Sequence, residues 1–419
     1  MELLTRAPKG TKDVLPSESY KWQYVEGVLR ETARQFGYSE IRFPTFEHTE
    51  LFERGVGDTT DVVQKEMYTF NDKGGRSISL RPEGTASVAR SYLENSLYAQ
   101  TQPTKCYYIA ANFRYEKPQA GRYREHHQFG AECFGASAPS ADAELISLAD
   151  TFLHRLGITN ITAHINSIGC PKCRAEYHKA LRAYFENYKD KLCETCLSRF
   201  DKNPMRILDC KSPICSEIAK DAPRTIQYLC DECRDHFDSV RKYLDAMGIS
   251  YEVDPGIVRG LDYYTKTVFE FVSNSIGAQG TVCGGGRYDG LVSQFGGPAT
   301  PALGFGSGIE RLLLVMDALG IEIPNNNSKL KIFVAGIGEK ADMAAQTLVY
   351  RLRKAGIAAE RDTLCRSLKA QMKYADKLCA EYSVVLGDDE VESGNARLKN
   401  MATGETVEVP LDALEQYLQ

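Results

Sequence analysis

At 419 residues, with 43% hydrophobic and 26% charged side chains, the chain has the make-up of a soluble globular protein too long for one ordinary domain, so two or three are expected. No apolar run is long enough to span a bilayer and no basic, apolar leader precedes residue 16, which points to the cytoplasm. The net charge of −5 excludes a protein that binds nucleic acid by bulk charge, and thirteen cysteines without a secretion signal argue for thiols and metal rather than disulfides.

Residues 5–16, with Pro8, Gly10 and Pro16, form a turn-rich opening. Ser17 or Ser19 can cap a helix reaching about Phe36, whose apolar face carries Trp22, Val25, Val28 and Leu29 and which Gly37 closes. Residues 38–43 are strand-like and stop at Pro44. Residues 67–70 and 77–80 suggest a hairpin around 71–75. In Arg81-Pro82-Glu83-Gly84-Thr85 the proline and glycine fix a turn that displays Glu83 and Thr85 ahead of a helix over 86–97. Glu83 there either caps that helix or faces a ligand. A strand over 105–113, the tripeptide Arg114-Tyr115-Glu116, a basic loop over 117–124 and a second strand over 126–135 follow. Alternation along the second strand puts Gln128 and Glu132 on one face. A helix over 140–156 and a strand over 161–166 complete this part.

From residue 169 to about 247 the chain is helical, charged and rich in thiols. Cys170 and Cys173 are followed by Cys193 and Cys196, at the C-x2-C spacings that let two tight turns offer four thiolates to one tetrahedral zinc. Cys210, Cys215, Cys230 and Cys233 fit a second such set more loosely, and the pairing can also be crossed. The bland alternative is a set of buried, idle thiols in a helical domain. A saturated thiolate site would be structural, because it leaves no open position for chemistry.

Residues 251–258 return to the sheet and deliver Arg259, Gly260, Leu261, Asp262, Tyr263 and Tyr264, ahead of a buried strand over 265–272. The run Cys283-Gly284-Gly285-Gly286-Arg287-Tyr288-Asp289-Gly290 is expected to bend tightly, given its glycines. Gly304-Phe305-Gly306-Ser307-Gly308-Ile309-Glu310-Arg311-Leu312 looks like a strand feeding a helix over 309–319. No Gly-Lys-Ser/Thr ends a phosphate loop and no dinucleotide fingerprint is present, so arginines must hold any bound nucleotide. Residues 324–328 are a linker. Beyond it, strands near 331–335, 358–361 and 382–386 alternate with helices near 340–355 and 367–380, a compact α/β domain. Lys369, Lys373 and Lys377 recur at helical spacing and give one basic stripe, which is most simply a solvated face.

RGLDYY, GGGRYDGL and GFGSGIERL together resemble the histidyl-tRNA synthetases, a family of class II aminoacyl-tRNA synthetases, and the likeness extends over nearly the whole chain. It implies an α+β fold: a class II antiparallel-sheet catalytic core over 1–168 and 248–324, a helical Cys-rich insertion over 169–247 lying over the tRNA acceptor arm, and an anticodon-binding α/β domain over 329–419. It also implies a homodimer through the first helix and strand. The reaction would be histidine plus ATP, with Mg2+ bridging the phosphates, giving histidyl-adenylate, then transfer to tRNA(His). By resemblance, Glu83, Thr85 and Gln128 meet the histidine amino group, Glu132 and Tyr264 its imidazole, and Tyr263 and Tyr288 line the same pocket. Arg114 and the family-specific Arg259 face the α-phosphate, while Glu116, Arg122 and Arg311 surround ATP. His126 stands where some members stack a phenylalanine on adenine, a departure from the pattern. The Cys-rich insertion is another, since many members lack these cysteines.

Two other classes fit parts of the chain. A non-catalytic, histidine-sensing regulatory subunit of ATP phosphoribosyltransferase would share the core, but the intact RGLDYY and GIERL runs and the C-terminal domain speak against it. A zinc-dependent RNA-binding protein using the insertion alone leaves Arg114 and Arg259 unexplained.

Overall fold

Alternation along residues 104–113 and 125–134 sets the architecture, because it sends one row of side chains to a helical layer and the other to a second buried face that includes Val88, Ala89 and Tyr92 of the Thr85–Glu94 helix. The computed structural model describes residues 4–57, 60–201, 204–208, 210, 212–257, 261–325 and 330–418. The chain divides into two compact units, Met1–Ile323 and Pro324–Gln419.

In the first unit, β1 (Ser39–Glu40), β2 (Thr104–Phe113), β3 (Glu125–Phe134), β4 (Thr162–Ser167), β5 (Tyr251–Val253), β6 (Thr265–Val272), β7 (Thr281–Arg287) and β8 (Ala302–Gly308) form one sheet. Their order is β1-β2-β3-β8-β7-β6-β4-β5. The six strands from β2 to β4 are antiparallel, and the outer strands β1 and β5 add in parallel. Phe129, Phe269, Phe271, Leu303 and Phe305 face a helical layer made by Pro16–Gln35, Pro139–Arg155, Asp231–Ala246 and Ile309–Ala318. Val25, Leu29, Leu148, Phe152, Val240 and Leu312 meet them there, and this apolar burial is the main stabilising term of the unit. The other face of the same strands carries Tyr108, Phe134, Val268 and Tyr288. A small sheet of Phe46–His48, Ser77–Leu80 and Thr69–Asn71 contains the expected hairpin.

Three local expectations are corrected. Pro16 occupies the first turn of the opening helix after Leu15, so proline pre-organisation rather than a serine cap starts it. The expected tight bend is smaller and later: the glycines of 284–286 lie within β7, whose pairing with β6 slips between Gly286 and Arg287, and the turn follows at 289–290. Their smallness serves close packing, since a Cβ on Gly285 would sit 2.2 Å from the Gly304 carbonyl oxygen. The strands expected over 38–43 and 251–258 are shorter, as Ser39–Glu40 and Tyr251–Val253. Arg81 occupies the carbonyls of Phe43 and Pro44, and Asp254 turns the chain by accepting from Gly256 N.

The insertion is helical, with Pro171–Glu186, Glu194–Phe200, Pro213–Lys220 and Asp231–Ala246. In the second unit, β9 (Ile332–Gly336), β10 (Ala359–Arg361), β11 (Tyr382–Leu386), β12 (Asn395–Asn400) and β13 (Thr406–Pro410) form a sheet in the order β10-β9-β11-β12-β13. Ile332 and Val334 face the Glu339–Lys354 helix while Phe333 and Ala335 face Leu368–Lys377, so both sides are covered. The antiparallel β12 and β13 were not read from the sequence.

Candidate active site

The face of β3 and β8 opposite the main helical layer is floored by glycine. Gly304 pairs with Glu132, and Gly306 with Gly130. A Cβ on Gly304 would lie 1.7 Å from Glu132 Oε2, and one on Gly306 would lie 2.0 Å from Gln128 Nε2. The two polar side chains therefore lie flat across bare backbone. Tyr108 is held the same way, its ring between Gly84 and Gly130, whose Cβ atoms would fall 2.3 and 2.2 Å from Tyr108 Cζ.

Glu132 is fully buried. Its Oε1 accepts from Thr85 Oγ1 at 2.7 Å and its Oε2 from the Tyr288 hydroxyl. Burial pushes its carboxyl up to about 8, against these donors, which favour the ionised form. Glu83 is also buried and raised by burial; its oxygens accept from the backbone N–H groups of Thr85 and Ala86, both at 2.8 Å. Glu83 thus satisfies the first free N–H groups of the Thr85–Glu94 helix, and its charge acts on Glu132. Gln128 Oε1 accepts from Asn112 Nδ2 at 2.8 Å and from the Tyr108 hydroxyl at 3.3 Å. Tyr263, Tyr264 and Tyr288 pack together in the same buried cluster, with ring centroids 4.7 Å apart for the first pair and 5.5 Å for Tyr263 and Tyr288.

A cleft of about 420 Å³ is bordered by Arg114, Glu116, Arg122, His126, Gln128, Glu270 and Arg311. Arg114 is anchored through Nε to the Pro82 carbonyl at 2.8 Å, tying the cleft to the Glu83 turn. Arg311 bonds the carbonyls of Thr281 at 2.6 Å and Gly121 at 3.2 Å. Burial, then the charges of Arg114 and Arg311, push the His126 imidazole down to about 3, so it is a neutral ring throughout the physiological range. Arg122 and Glu116 are 3.4 Å apart. Such a concentration of cations along one wall suits an anionic ligand. Arg259 lies outside the described residues.

The eight insertion cysteines form two clusters, and of the two pairings that their spacing left open the structure shows the crossed one. Cys170 and Cys173 join Cys230 and Cys233, while Cys193 and Cys196 join Cys210 and Cys215. Spacing within each C-x2-C fixes the local turn but not its distant partner, which the helices decide. Cys106, Cys133 and Cys283 lie buried in the sheet outside these clusters, with burial raising the first two to about 11 and about 12.

Several contributors escaped the sequence reading. Tyr108 and Asn112 orient Gln128 from β2, where they read as ordinary strand residues. Glu310 accepts from the His127 N–H at 2.8 and 3.0 Å and faces its ring nitrogen at 3.0 Å, fixing the start of β3. Arg287 is fully buried and paired with Asp142 and Asp289, and His236 reaches Asp142 at 3.2 Å. The Arg-Tyr-Asp sequence beside the glycines was the one available sign of that pair.

Comparison with known proteins then gives a consistent result. A family model described as histidyl-tRNA synthetase matches residues 10–190 and 211–312, and one described as anticodon binding domain matches 331–419. A histidine–tRNA ligase of Acetivibrio thermocellus is 60% identical over 417 residues, covering 100% of both chains. One of Caldanaerobacter subterraneus subsp. tengcongensis is 58% identical over the same length and coverage. The crystal structure of apo S. aureus histidyl-tRNA synthetase superposes with a TM-score of 0.85 at 41% identity, covering 99% of this chain and 100% of that one. A Bacillus halodurans structure titled ATP phosphoribosyltransferase regulatory subunit/histidyl-tRNA synthetase shares the fold, with a TM-score of 0.65 at 23% identity over 92% of this chain and 99% of that one.

Proposed function

The chain belongs to the histidyl-tRNA synthetase family, and on that premise we propose that it joins histidine to tRNA(His), with the glycine-floored pocket taking the amino acid and the arginine cleft taking ATP. The observation that carries the reading is Glu132: a buried carboxyl, held by Thr85 and Tyr288, on the same sheet face as a cationic cleft.

In the first step a carboxylate oxygen of histidine attacks the α-phosphorus of ATP and pyrophosphate leaves. Negative charge builds on the non-bridging oxygens as it does. Arg114 and Arg259 are assigned to that charge, each fixed donor contributing roughly 10²–10³ in rate. Glu83, Thr85 and Gln128 receive the α-amino group, Glu132 and Tyr264 the imidazole, and Tyr263 and Tyr288 the remaining walls. A buried acceptor of this kind rejects side chains that leave it unpaired. Glu116, Arg122, His126 and Arg311 are assigned to ATP, the neutral His126 ring to adenine. Glu116 and Glu270 on the cleft wall would offer hard oxygen donors to a Mg2+ accompanying the triphosphate, which would offset the charge of the phosphates. In the second step a ribose hydroxyl at the tRNA 3′ end attacks the acyl carbon and AMP leaves.

The homodimer, a cytoplasmic location and tRNA contact by the second unit belong to the same reading. No helix among the described residues is long and apolar enough to cross a membrane. The regulatory-subunit alternative is less supported, because ligases match at 54–60% identity over at least 98% of the chain, including the C-terminal unit.

Histidine-dependent ATP–pyrophosphate exchange tests the proposal, with a panel of other amino acids as controls. Exchange with histidine alone is expected. A folded, histidine-binding protein without exchange would instead favour the regulatory subunit.

A further inference from the structure

The four sulfurs of each insertion cluster converge to within 4.8 Å of one another. In the first, Cys170 Sγ lies 3.6 Å from Cys173 Sγ and 3.9 Å from Cys230 Sγ; in the second, Cys193 Sγ lies 3.8 Å from Cys210 Sγ. Thiolates each about 2.3 Å from one tetrahedral zinc stand about 3.8 Å apart, whereas a disulfide needs about 2.05 Å. Cys170, Cys193 and Cys230 each precede a helix, with the second cysteine of each pair in the first turn, so the sulfurs gather at helix N-termini, which favour anions. Backbone N–H groups also point at the sulfurs: Cys230 N to Cys173 Sγ at 3.1 Å and Cys193 N to Cys215 Sγ at 3.2 Å.

Size gives an independent argument. The outer lobe packs helices of seven and eight residues, Glu194–Phe200 and Pro213–Lys220, against Tyr177, Leu181 and Phe185 of the Pro171–Glu186 helix, around a small core in which Cys196 and Cys215 are themselves buried. A lobe this small needs a staple beyond its apolar burial.

We infer that the insertion carries two structural zinc ions in nested tetrathiolate sites, and that the one at its base also positions the amino-acid pocket. The base site, Cys170, Cys173, Cys230 and Cys233, joins the points where the chain leaves β4 and enters the Asp231–Ala246 helix. Short links run from it to the pocket strand. Arg174, adjoining Cys173, donates to the Tyr264 carbonyl at 3.0 Å. Lys266 N donates to Gly169 O at 2.9 Å, and its ammonium meets Glu232, between Cys230 and Cys233, at 3.1 Å. Lys266 itself holds φ 49, a left-handed conformation that persists only where its surroundings enforce it. The outer site, Cys193, Cys196, Cys210 and Cys215, closes the distal lobe.

The test is zinc content of the intact protein, with paired serine substitutions. The wild type is expected to hold two ions per chain; none or one would overturn the inference. Cys170→Ser with Cys230→Ser strikes one nested site and should leave one ion, while Cys170→Ser with Cys193→Ser strikes both and should leave none. The reverse pattern would establish the sequential partition instead. If a variant does not fold, cobalt replacement in the wild type should give thiolate charge-transfer bands for two all-sulfur sites, and a spectrum of one site or of mixed nitrogen ligands would overturn it. The positioning role rests on the proposed pocket, whereas the metal count does not. For it, the Cys170→Ser/Cys230→Ser variant should raise the histidine KM about tenfold and Cys193→Ser/Cys215→Ser should leave it within about twofold; equal effects would refute the coupling alone.

Discussion

Replacing Gly304 by alanine tests the glycine floor directly. The new methyl would fall 1.7 Å from Glu132 Oε2, where side-chain carbons essentially never come closer than 3.0 Å, so the carboxyl must retreat by about 1.3 Å. That retreat strains or breaks its bonds with Thr85 and Tyr288 in a buried setting. Leaving a buried polar group unpaired costs about 1–3 kcal/mol, and two such losses together with a displaced substrate contact correspond to about 10²–10³ in kcat/KM. Histidine-dependent pyrophosphate exchange reads the effect, with thermal melting as the control for folding. Gly290→Ala is the companion variant, since its Cβ would meet nothing within 4 Å, and it should behave as wild type. A folded Gly304→Ala protein within about threefold of wild-type kcat/KM would refute the argument that these glycines exist to admit Glu132.

Arg259→Ala should lower exchange by about 10²–10³ without moving the melting temperature, and near-wild-type exchange would remove Arg259 from the phosphate role. Glu132 keeps a proton in the fold that the unfolded chain has released above its ordinary value of 4.5, so stability is greatest below that value and falls as pH rises toward about 8. The slope is ~1.4 kcal/mol per pH unit, and Glu132→Gln should flatten it in urea unfolding of the substrate-free protein between about pH 5.5 and 8.5; parallel profiles would contradict the buried acid. Arg287→Met takes the guanidinium from buried Asp142 and leaves it His236 as its side-chain partner among the described residues, which should cost about 3 kcal/mol in denaturant unfolding, and a loss below about 1 kcal/mol would mean that His236 suffices. Changing the exposed Lys369, Lys373 and Lys377 to glutamine should raise the KM for tRNA and spare adenylation, so unchanged tRNA kinetics would return that stripe to a solvated face.

Much of the catalytic sheet was legible because alternation and period are local properties. Gln128 and Glu132 could be placed on one face from their spacing alone, and the strand Tyr382–Leu386 was bounded correctly. What failed depended on partners remote in sequence. A glycine permits a bend and also permits close packing, and only the presence of Gly304 and Val268 across from Gly286 decides for the latter. The cysteine partition depends on helices that bring Cys230 beside Cys170 across sixty positions. The Arg287–Asp142–His236 cluster draws on β7, the Pro139–Arg155 helix and the insertion, none of which announces the others.

The sheet order has a consequence for how the chain is made. β8, the last of its strands to be synthesised, is inserted at the centre, between β3 and β7. Until residues 302–308 leave the ribosome, β3 and β7 lack the strand that joins them in the finished sheet, so any sheet formed earlier would have an unpaired inner edge. Such edges are ready templates for pairing with another chain. A product truncated before residue 302 therefore lacks the floor beneath Glu132 and keeps both edges open, which makes it inactive and prone to aggregate rather than partly competent.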